Sequence, residues 1–449
     1  MNQRFRLSFL FLLCTLLSLS SCKKDETIIP PTHELSDVSA YNAKNAIDWV
    51  NVFRKIVTTQ NINPPRAARV YAYAGITLYE SVVDGIKNNK SLQGQLNGFA
   101  LHSIPENTDS LDYDIVLNEA LFLIAQCDTI IPSLTSENKD SVLAIHDRVL
   151  LSKTGMVEDS IVTKSKARGT VVANAIKQYA ASDNFLTVKT LSYIVPEQDA
   201  DHLWYWQKTD DLHPNPAEPH WGKMRPFVMD SAAQFEIPQM IAFSTDTSSA
   251  FGRQAREVYL AVGNKTTEQN NTVLWWRDQS GTQTPAGHWM AILQYIIHLK
   301  NFKLDKAAEL YALVGITTAD AFISCWDAKY KYNLLRPETY IRAYMNPSWT
   351  TGQGSDITPP FPEYPSGHSV CSGAASKVLT DALGTFAFKD SINVALGYAP
   401  RSFTSFFDAA DEAAASRLYG GIHFREAITS GIQEGRNIGQ KVTNTLHFR

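Results

Sequence analysis

The stretch Ala67–Val83 (AARVYAYAGITLYESVV) decides the fold class, because its small and apolar residues recur at three- and four-residue steps. Residues with this spacing lie along one face of an α-helix. The same periodicity occurs in Ile115–Ile124, Ile161–Ile176, Ala286–Ile297 and Ala307–Ile323. No convincing series of alternating strands and no repeat of solenoid length occurs. The sequence therefore predicts an all-α protein of helical bundles joined by long irregular loops.

A long segment rich in proline and tryptophan, at about residues 187–227, separates two helical parts of the chain. A loop of this length inside a compact domain is usually functional or wrapped over a core. The sequence predicts a helical N-terminal half at about 40–185 and a helical C-terminal half at about 228–449. We expect both halves to form a single domain that covers residues 39–449.

The composition is that of an ordinary globular protein, with 44% hydrophobic and 19% charged residues. The formal net charge of −4 gives no indication of a nucleic-acid partner. Outside the extreme N-terminus, no run of eighteen apolar residues predicts a membrane-spanning helix. No feature of the sequence indicates an oligomeric state.

The N-terminus has the features of a targeting segment. Residues 1–21 combine basic residues with the apolar segment Leu7–Leu19, as in a signal peptide. The end of this segment, Leu19–Cys22 (LSSC), resembles a bacterial lipobox, which implies cleavage before Cys22 and acylation of its thiol. An ordinary secretory signal is the alternative. With a lipidated tether at 22–38, the protein would be an exported bacterial lipoprotein at the outer membrane or cell surface, or in the periplasm. It would touch the membrane only through its lipid anchor.

The first of three motifs near the C-terminus is Lys329–Pro337 (KYKYNLLRP). Lys329 and Arg336 are separated by about 700° on a helix, so their side chains share a face within roughly 20°. Pro337 disfavours helical geometry at Arg336, so we expect the helix to end there. Two cations on one face suit an anion, and arginine adds a planar fork for two oxygens. The alternative is a solvated basic face.

The second motif is Pro365–His368 (PSGH), which precedes a run of small residues typical of a tightly packed helix. Ser366 would lie near the N-cap, where the first backbone N–H groups are free to point at an oxyanion. Gly367 would let the anion approach the backbone closely, with His368 beside it. Ordinary helix capping is the alternative.

The third motif is Ser416–His423 (SRLYGGIH). On an unbroken helix Arg417 and His423 would point about 120° apart, but the pair Gly420–Gly421 supplies a break that lets them converge. Small residues then recur at four-residue steps from Ala427 to Gly439. This stripe predicts that the helix after His423 packs closely against a neighbour.

The order K-x6-RP, PSGH and SR-x3-G-x-H resembles the superfamily of vanadium-dependent haloperoxidases and type-2 phosphatidic acid phosphatases (PAP2). Trp326, Phe361 and the segment Thr284–Trp289 (TPAGHW) are similar to the bacterial haloperoxidases, and the chain looks most like the iodoperoxidases among them. The resemblance implies an all-α fold whose helices pack together, vanadate as cofactor, and hydrogen peroxide and halide as substrates. It implies the oxidation of iodide, with bromide as a second halide, to hypohalous acid.

The resemblance also implies roles for individual residues. His423 would bond vanadium, and His368 would be the acid–base group. Trp326 and Phe361 would line the pocket. The vanadate oxygens would be held by Lys329, Arg336, Ser366, the Gly367 N–H and Arg417.

Two other functions remain open. In an acid phosphatase of the same superfamily, His423 would form a phosphohistidine and His368 would protonate the leaving group. Because vanadate mimics phosphate, the anion ligands do not separate this activity from a peroxidase. A non-catalytic surface lipoprotein that keeps the fold to bind an oxyanion is the other alternative.

One position departs from the pattern of the family, which often has an aspartate four residues after the metal-binding histidine. Here that position is Ala427. The second ring nitrogen of a metal-bound histidine is usually held by a carboxylate or a carbonyl. We therefore expect Glu426 or a backbone carbonyl to hold His423.

Cysteines and other polar residues near the motifs complete the candidates. Cys325 and Cys371 lie close to the first two motifs. Because a thiol beside a source of strong oxidants is at risk, we expect them to be buried or bonded to each other. His288 is expected either at the entrance or in a core or capping role, and Arg277 and Asp327 are candidates to support the site.

Overall fold

The computed structural model describes residues 37–107, 109–209, 215–353 and 358–449. The predicted signal peptide, Cys22 and nearly all of the predicted tether lie outside these residues. The division of the chain at residue 39 stays a prediction.

Helices make up 58% of the structure and strands 2%, so the prediction of an all-α fold is confirmed. In chain order the helices are α1 (Lys44–Thr59), α2 (Pro64–Val82), α3 (Tyr113–Ala125), α4 (Ser136–Lys153), α5 (Asp159–Ala181), α6 (Phe185–Val188), α7 (Ala250–Gly263), α8 (Thr267–Trp275), α9 (Thr284–Lys300), α10 (Leu304–Tyr332), α11 (Pro337–Tyr344), α12 (Gly367–Leu383), α13 (Phe406–Tyr419) and α14 (Arg425–Thr445). Two short strands, β1 (Phe388–Asp390) and β2 (Arg401–Phe403), pair antiparallel.

The N-terminal signals of α2 explain why this helix begins where it does. The side chain of Asn63 accepts a hydrogen bond from the backbone N–H of Arg66, and prolines occupy the first helical positions. Both features favour a helix start, since proline lacks only an N–H that would have no partner there. All but two of the nineteen residues of α2 are buried, as the dense apolar pattern of the sequence predicts.

The centre of the fold is the crossing of α2 and α10, where glycines let the two backbones touch. A Cβ on Gly75 would lie 2.5 Å from the carbonyl oxygen of Tyr311, and one on Gly315 would lie 2.7 Å from that of Tyr71. Helix α10 is long and apolar enough to cross a membrane by length and composition, but its apolar window is 100% buried inside the protein. It is therefore the core helix, and Lys329 lies near its C-terminal end.

The stripe of small residues on α14 packs against α12, as predicted. A Cβ on Gly439 would lie 2.8 Å from the carbonyl oxygen of Ala374, and one on Gly435 would clash with the carbonyl oxygen of Val370. This contact fixes the start of α14 beside the start of α12. The motifs that contain His423 and His368 are thereby brought together.

The long connection after α6 extends further than the sequence indicates. Among its described residues only Trp221–Lys223 form a helical turn, and the next helix begins at Ala250 instead of near residue 228. At residues 227–229, where the sequence predicts a helix to begin, the buried carboxylate of Asp320 on α10 accepts hydrogen bonds from the backbone N–H groups. A side chain thus satisfies groups that would otherwise favour a helix.

Candidate active site

Lys329 and Arg336 converge on the proline loop, residues 359–365 (PPFPEYP). Lys329 Nζ donates to three carbonyl oxygens of this loop, at distances between 2.5 and 3.0 Å. Arg336 Nε donates to the carbonyl oxygen of Phe361 at 2.9 Å. The expectation that both cations share one helix face is wrong, because α10 ends before Asn333, which has a φ of +47°. Arg336 is instead the N-cap of α11, and the turn brings it back toward Lys329.

The start of α12 presents the second motif. Ser366 is the N-cap, and its Oγ accepts a hydrogen bond from Ser369 N at 3.4 Å. Gly367 and His368 line a cavity in front of this helix start. His368 Nε2 is buried and has no hydrogen-bond partner among the described residues. A ring nitrogen without a partner, on a residue that lines a cavity, suits a proton-transfer group for a bound ligand.

The third motif converges with the first two because the chain breaks at Gly421, whose φ is +74°. Arg417, in the last turn of α13, donates from Nη2 to the carbonyl oxygen of Trp276 at 2.5 Å. After the break, His423 lies beside Arg336, with 3.2 Å between His423 Nε2 and Arg336 Nη1. The glycine pair therefore does what the sequence indicates, since a left-handed residue is easily adopted only by glycine.

Glu363 orients His423. Its Oε1 lies 2.8 Å from His423 Nδ1 and also accepts the backbone N–H of Phe424 at 2.8 Å. Because a carboxylate accepts, Nδ1 carries the proton and Nε2 keeps its lone pair, which faces Arg336 Nη1 at 3.2 Å. The expectation that Glu426 or a backbone carbonyl holds this ring is wrong, and Glu426 instead accepts the backbone N–H of Met240 at 2.5 Å. The only sequence signal for Glu363 was its position three residues before Ser366.

Three cations are buried together at this site. Burial lowers the pKa of Lys329 to about 8 and the pKa values of Arg336 and Arg417 to about 10. Within the described parts of the chain, none of the three forms an ion pair with a carboxylate, and their hydrogen bonds there go mostly to carbonyl oxygens. Buried charges of one sign favour the binding of an ion of the opposite sign. The arrangement fits a multiply charged oxyanion.

Both histidines of the site are held in the neutral form. The pKa of His423 lies well below its usual value because of burial, and the charges of Arg336 and Lys329 lower it further. Burial lowers the pKa of His368 in the same way, with Arg417 as the strongest neighbouring charge. A neutral imidazole can bond a metal or accept a proton.

The cavity in front of these groups has a volume of about 230 Å³. Trp326 and Phe361 form an aromatic wall, with ring centroids 4.9 Å apart. Lys329, Arg336 and Ser366 are fully buried behind this surface. The residues that line the cavity are Pro64, Arg277, Asp278, Gln279, Ser280, Pro285, Phe322, Trp326, Gln353, Pro359, Pro360, Phe361, Gly367, His368, Arg417, Ile422 and His423.

The remaining candidates have separate positions. Arg277 lines the cavity, whereas Asp327 lies against Gly222 away from it. His288 is fully buried beside the site and does not line the entrance. Cys325 and Cys371 are both buried and free. Of the two expected alternatives, burial is therefore confirmed and a disulfide between them is not formed.

Comparisons with known proteins give the family. The model of the VCPO second helical-bundle domain matches residues 309–448. Over 116 residues the chain is 31% identical to the vanadium chloroperoxidase of Curvularia inaequalis, a match that covers 22% of this chain and 19% of that protein's length. The crystal structure of the first bacterial vanadium-dependent iodoperoxidase is 36% identical, with a TM-score of 0.82, and the alignment covers 91% of this chain and 97% of that one. The chain belongs to the vanadium-dependent haloperoxidase family.

A further structure of the family extends the likeness of the fold. The holo-type bacterial vanadium-dependent chloroperoxidase aligns with a TM-score of 0.61 and 15% identity, over 86% of this haloperoxidase-family chain and 93% of that one. At 15% identity this comparison supports a shared fold and nothing more. The iodoperoxidase comparison therefore carries the assignment to the family.

The site of this haloperoxidase-family chain fits the vanadate that the family name implies. Three buried cations match an anion with two or three negative charges. His423 offers the Nε2 of a neutral ring, and His368, whose Nε2 has no hydrogen-bond partner among the described residues, lines the same cavity. No cluster of three or more histidine, cysteine or acidic side chains suited to a bare metal ion occurs in the residues described. One metal-binding histidine surrounded by cations suits a metal oxyanion better than a bare metal ion.

Proposed function

We propose that this protein is a vanadate-dependent haloperoxidase that uses hydrogen peroxide to oxidise iodide to hypoiodous acid. The observation that carries the proposal is the pair Glu363–His423, which holds a neutral Nε2 among three buried cations. The similarity to a bacterial iodoperoxidase at 36% identity supports iodide as the halide. Iodide is also the most easily oxidised of the candidate halides, and bromide is the second to test.

The residues of the site would hold vanadate through opposite charge and one metal bond. His423 Nε2 would bond the metal, because Glu363 keeps the ring in the tautomer with the proton on Nδ1. Lys329, Arg336 and Arg417 would neutralise the oxygens, together with Ser366 and the Gly367 N–H at the start of α12. When bound, vanadate supplies a Lewis acid that activates peroxide for attack by halide.

His368 is the residue suited to proton transfer. Its Nε2 has no hydrogen-bond partner among the described residues, and its lowered pKa keeps it neutral. It could therefore accept a proton from peroxide at Nε2 and give it up again later in the reaction. Trp326 and Phe361 form the apolar side of the cavity, which excludes water and strengthens these charge interactions.

The test compares halide oxidation with phosphate-ester hydrolysis in the same preparation. The purified protein is incubated with orthovanadate, freed of excess, and assayed with peroxide and iodide or bromide. We expect iodide oxidation that depends on vanadate and is abolished in His423→Ala. Release of phosphate from an ester, inhibited by vanadate and without halide oxidation, would instead establish the phosphatase alternative. Binding of orthovanadate without either turnover would leave only an oxyanion-binding protein.

We also propose that the mature protein is a lipoprotein anchored through Cys22. The supporting features are the apolar segment before this cysteine and its lipobox-like context. A lipid anchor would place hypohalous acid production outside the cytoplasm, at the outer membrane or cell surface.

A further inference from the structure

A buried ion trio lies behind the wall of the cavity. His288 on α9 is fully buried, and its Nδ1 lies 2.8 Å from Asp278 Oδ2 while its Nε2 lies 2.7 Å from Asp390 Oδ2. A carboxylate accepts hydrogen bonds, so both ring nitrogens must carry a proton, and the ring is an imidazolium. Burial alone would lower the pKa of His288, but the two carboxylates outweigh it and raise the pKa to about 10.

The trio holds one segment, Trp275–Asp278, which contains the end of α8 and the start of the connection to α9. Asp390 accepts the indole N–H of Trp275 at 2.8 Å. The ring of Trp276 stacks on His288, with centroids 4.3 Å apart and planes 17° from parallel. Asp278 has a φ of +36°, a conformation that a residue other than glycine rarely adopts. The ion pair with His288 stabilises that conformation.

The same segment faces the oxyanion site. The carbonyl oxygen of Trp276 accepts the Nη2 proton of Arg417 at 2.5 Å. Asp278 lines the cavity, and the charge of its carboxylate favours the protonated form of Arg417. His288 itself does not line the cavity. The contacts that join it to a bound ligand therefore run through the segment and then through Arg417. Its charge also helps to lower the pKa of His368.

We propose that His288 is a positioning residue for oxyanion binding, which fixes the Trp275–Asp278 segment so that the Trp276 carbonyl orients Arg417 toward the anion. The inference rests on the proposed function for the identity of the anion, which is vanadate. An imidazolium is needed because a neutral side chain leaves the two buried carboxylates without the positive charge that lies between them. The segment then relaxes, and Arg417 loses its fixed orientation.

The test is a double-mutant cycle on the affinity for orthovanadate alone, measured by isothermal titration calorimetry on the vanadate-free protein. His288→Gln should raise the Kd about tenfold or more, as is usual when a partner behind a ligand-binding residue is lost. In the Arg417→Lys background, the same substitution should change the Kd by about twofold at most, because residues that act in series are not additive. Equal losses in both backgrounds, or an unchanged Kd in the single variant, would overturn the proposal.

Matched variants separate positioning from general damage to the fold. His146 on α4 is also buried, also lies between two carboxylates (Glu119 at 3.2 Å and Asp147 at 3.3 Å) and also stacks on an aromatic ring, but it is not part of the cavity. His146→Gln should leave the Kd for orthovanadate unchanged, and a loss equal to that of His288→Gln would count against positioning.

If His288→Gln does not fold, Asp390→Asn replaces it in the double-mutant cycle. This substitution removes one charge partner of His288 and should also raise the Kd for orthovanadate. An unchanged Kd in that variant would overturn the proposal. Halide oxidation does not enter these measurements. A wild-type protein that binds orthovanadate without oxidising halide would therefore contradict the proposed function. The role of His288 could still be tested, because the cycle measures only the Kd for orthovanadate.

Discussion

At the scale of single residues, the two ring nitrogens of His423 have different partners and therefore different tasks. Nδ1 donates to Glu363, and Nε2 faces Arg336 across 3.2 Å. Burial raises the pKa of Glu363 to about 7, although Arg336 and Lys329 both oppose this shift. The orientation of the histidine and the charge of the site are thus coupled through one buried carboxyl group.

Glu363→Gln tests this coupling. The glutamine oxygen can still accept from Nδ1, but the loss of the carboxylate makes Nε2 a weaker ligand. We expect the Kd for orthovanadate to rise about 10- to 100-fold, measured by titration calorimetry. The matched control is Glu426→Gln, since Glu426 accepts the backbone N–H groups of Met240 and Ile241 away from the cavity. A larger effect of the control than of Glu363→Gln would contradict this assignment.

At the scale of helices, the contact between α12 and α14 determines how closely two of the three motifs approach each other. Gly435 faces the backbone of Val370, and Gly439 faces that of Ala374. Since neither neighbour is the flexible end of a side chain, an added methyl group cannot be accommodated without moving a helix. The helix that follows His423 would then shift relative to the one that begins at Gly367.

Gly435→Ala should therefore lower the free energy of unfolding by about 1–3 kcal/mol, the usual cost of overpacking, and also weaken orthovanadate binding. Chemical denaturation and calorimetry would measure the two effects. Gly263→Ala at the end of α7 is the control, because a Cβ there meets nothing within 4 Å. It should be neutral or slightly stabilising, since alanine favours a helix more than glycine does. Equal destabilisation by both substitutions would rule out the proposed clash.

A second helix contact involves a buried acid between α10 and α14. Glu434 accepts the hydroxyl proton of Ser324 at 2.9 Å, and its other oxygen has no hydrogen-bond partner among the described residues. Burial raises the pKa of Glu434 to about 8. The group is therefore protonated in the folded protein at neutral pH but ionised in the unfolded chain. Between these two pKa values the unfolded state binds fewer protons, so stability falls as pH rises.

Glu434→Gln removes this dependence on pH. Relative to wild type, the variant should become more stable by roughly 1–4 kcal/mol between about pH 5 and about pH 8, given about 1.4 kcal/mol for each pKa unit. Urea unfolding of both proteins at the two pH values measures the difference, and contributions from other groups cancel. A difference in unfolding free energy that is the same at both pH values would show that Glu434 is ionised when folded.

At the scale of the whole molecule, the sequence predicted those features that depend on residues close together in the chain. The helices follow from apolar periodicity, and the three motifs follow from spacing within short stretches. The partner of His423 could not be predicted, because Glu363 reaches it from a segment 60 residues earlier in the chain. The contact between His288 and Asp390 joins residues 102 positions apart. Such pairs depend on how α9, α12 and α14 pack, which periodicity within one element does not specify.

The N-terminus carries the prediction that concerns the location of the whole protein. Cys22→Ser removes the thiol that acylation requires, so the variant should lose radiolabelled palmitate and leave the membrane fraction of a bacterial host. Metabolic labelling and fractionation of wild type and variant measure both effects. Cys127→Ser is the control, because Cys127 lies in the folded body. This variant keeps Cys22 and should therefore retain the label. Membrane association that persists in Cys22→Ser would contradict lipidation at this position.

Because the three buried cations attract an anion, the stability of the folded protein depends on the concentration of that anion. An anion that binds only the folded protein adds about 2.7 kcal/mol of stability when its concentration reaches about 100 times its Kd. Lys329, Arg336 and Arg417 are buried cations that attract negative charge whatever the central atom. If vanadate is the cofactor, inorganic phosphate should compete with it by mass action. The fraction of active enzyme would then depend on the ratio of the two dissolved anions in the surroundings. The same protein would be loaded in phosphate-poor water and blocked in phosphate-rich water.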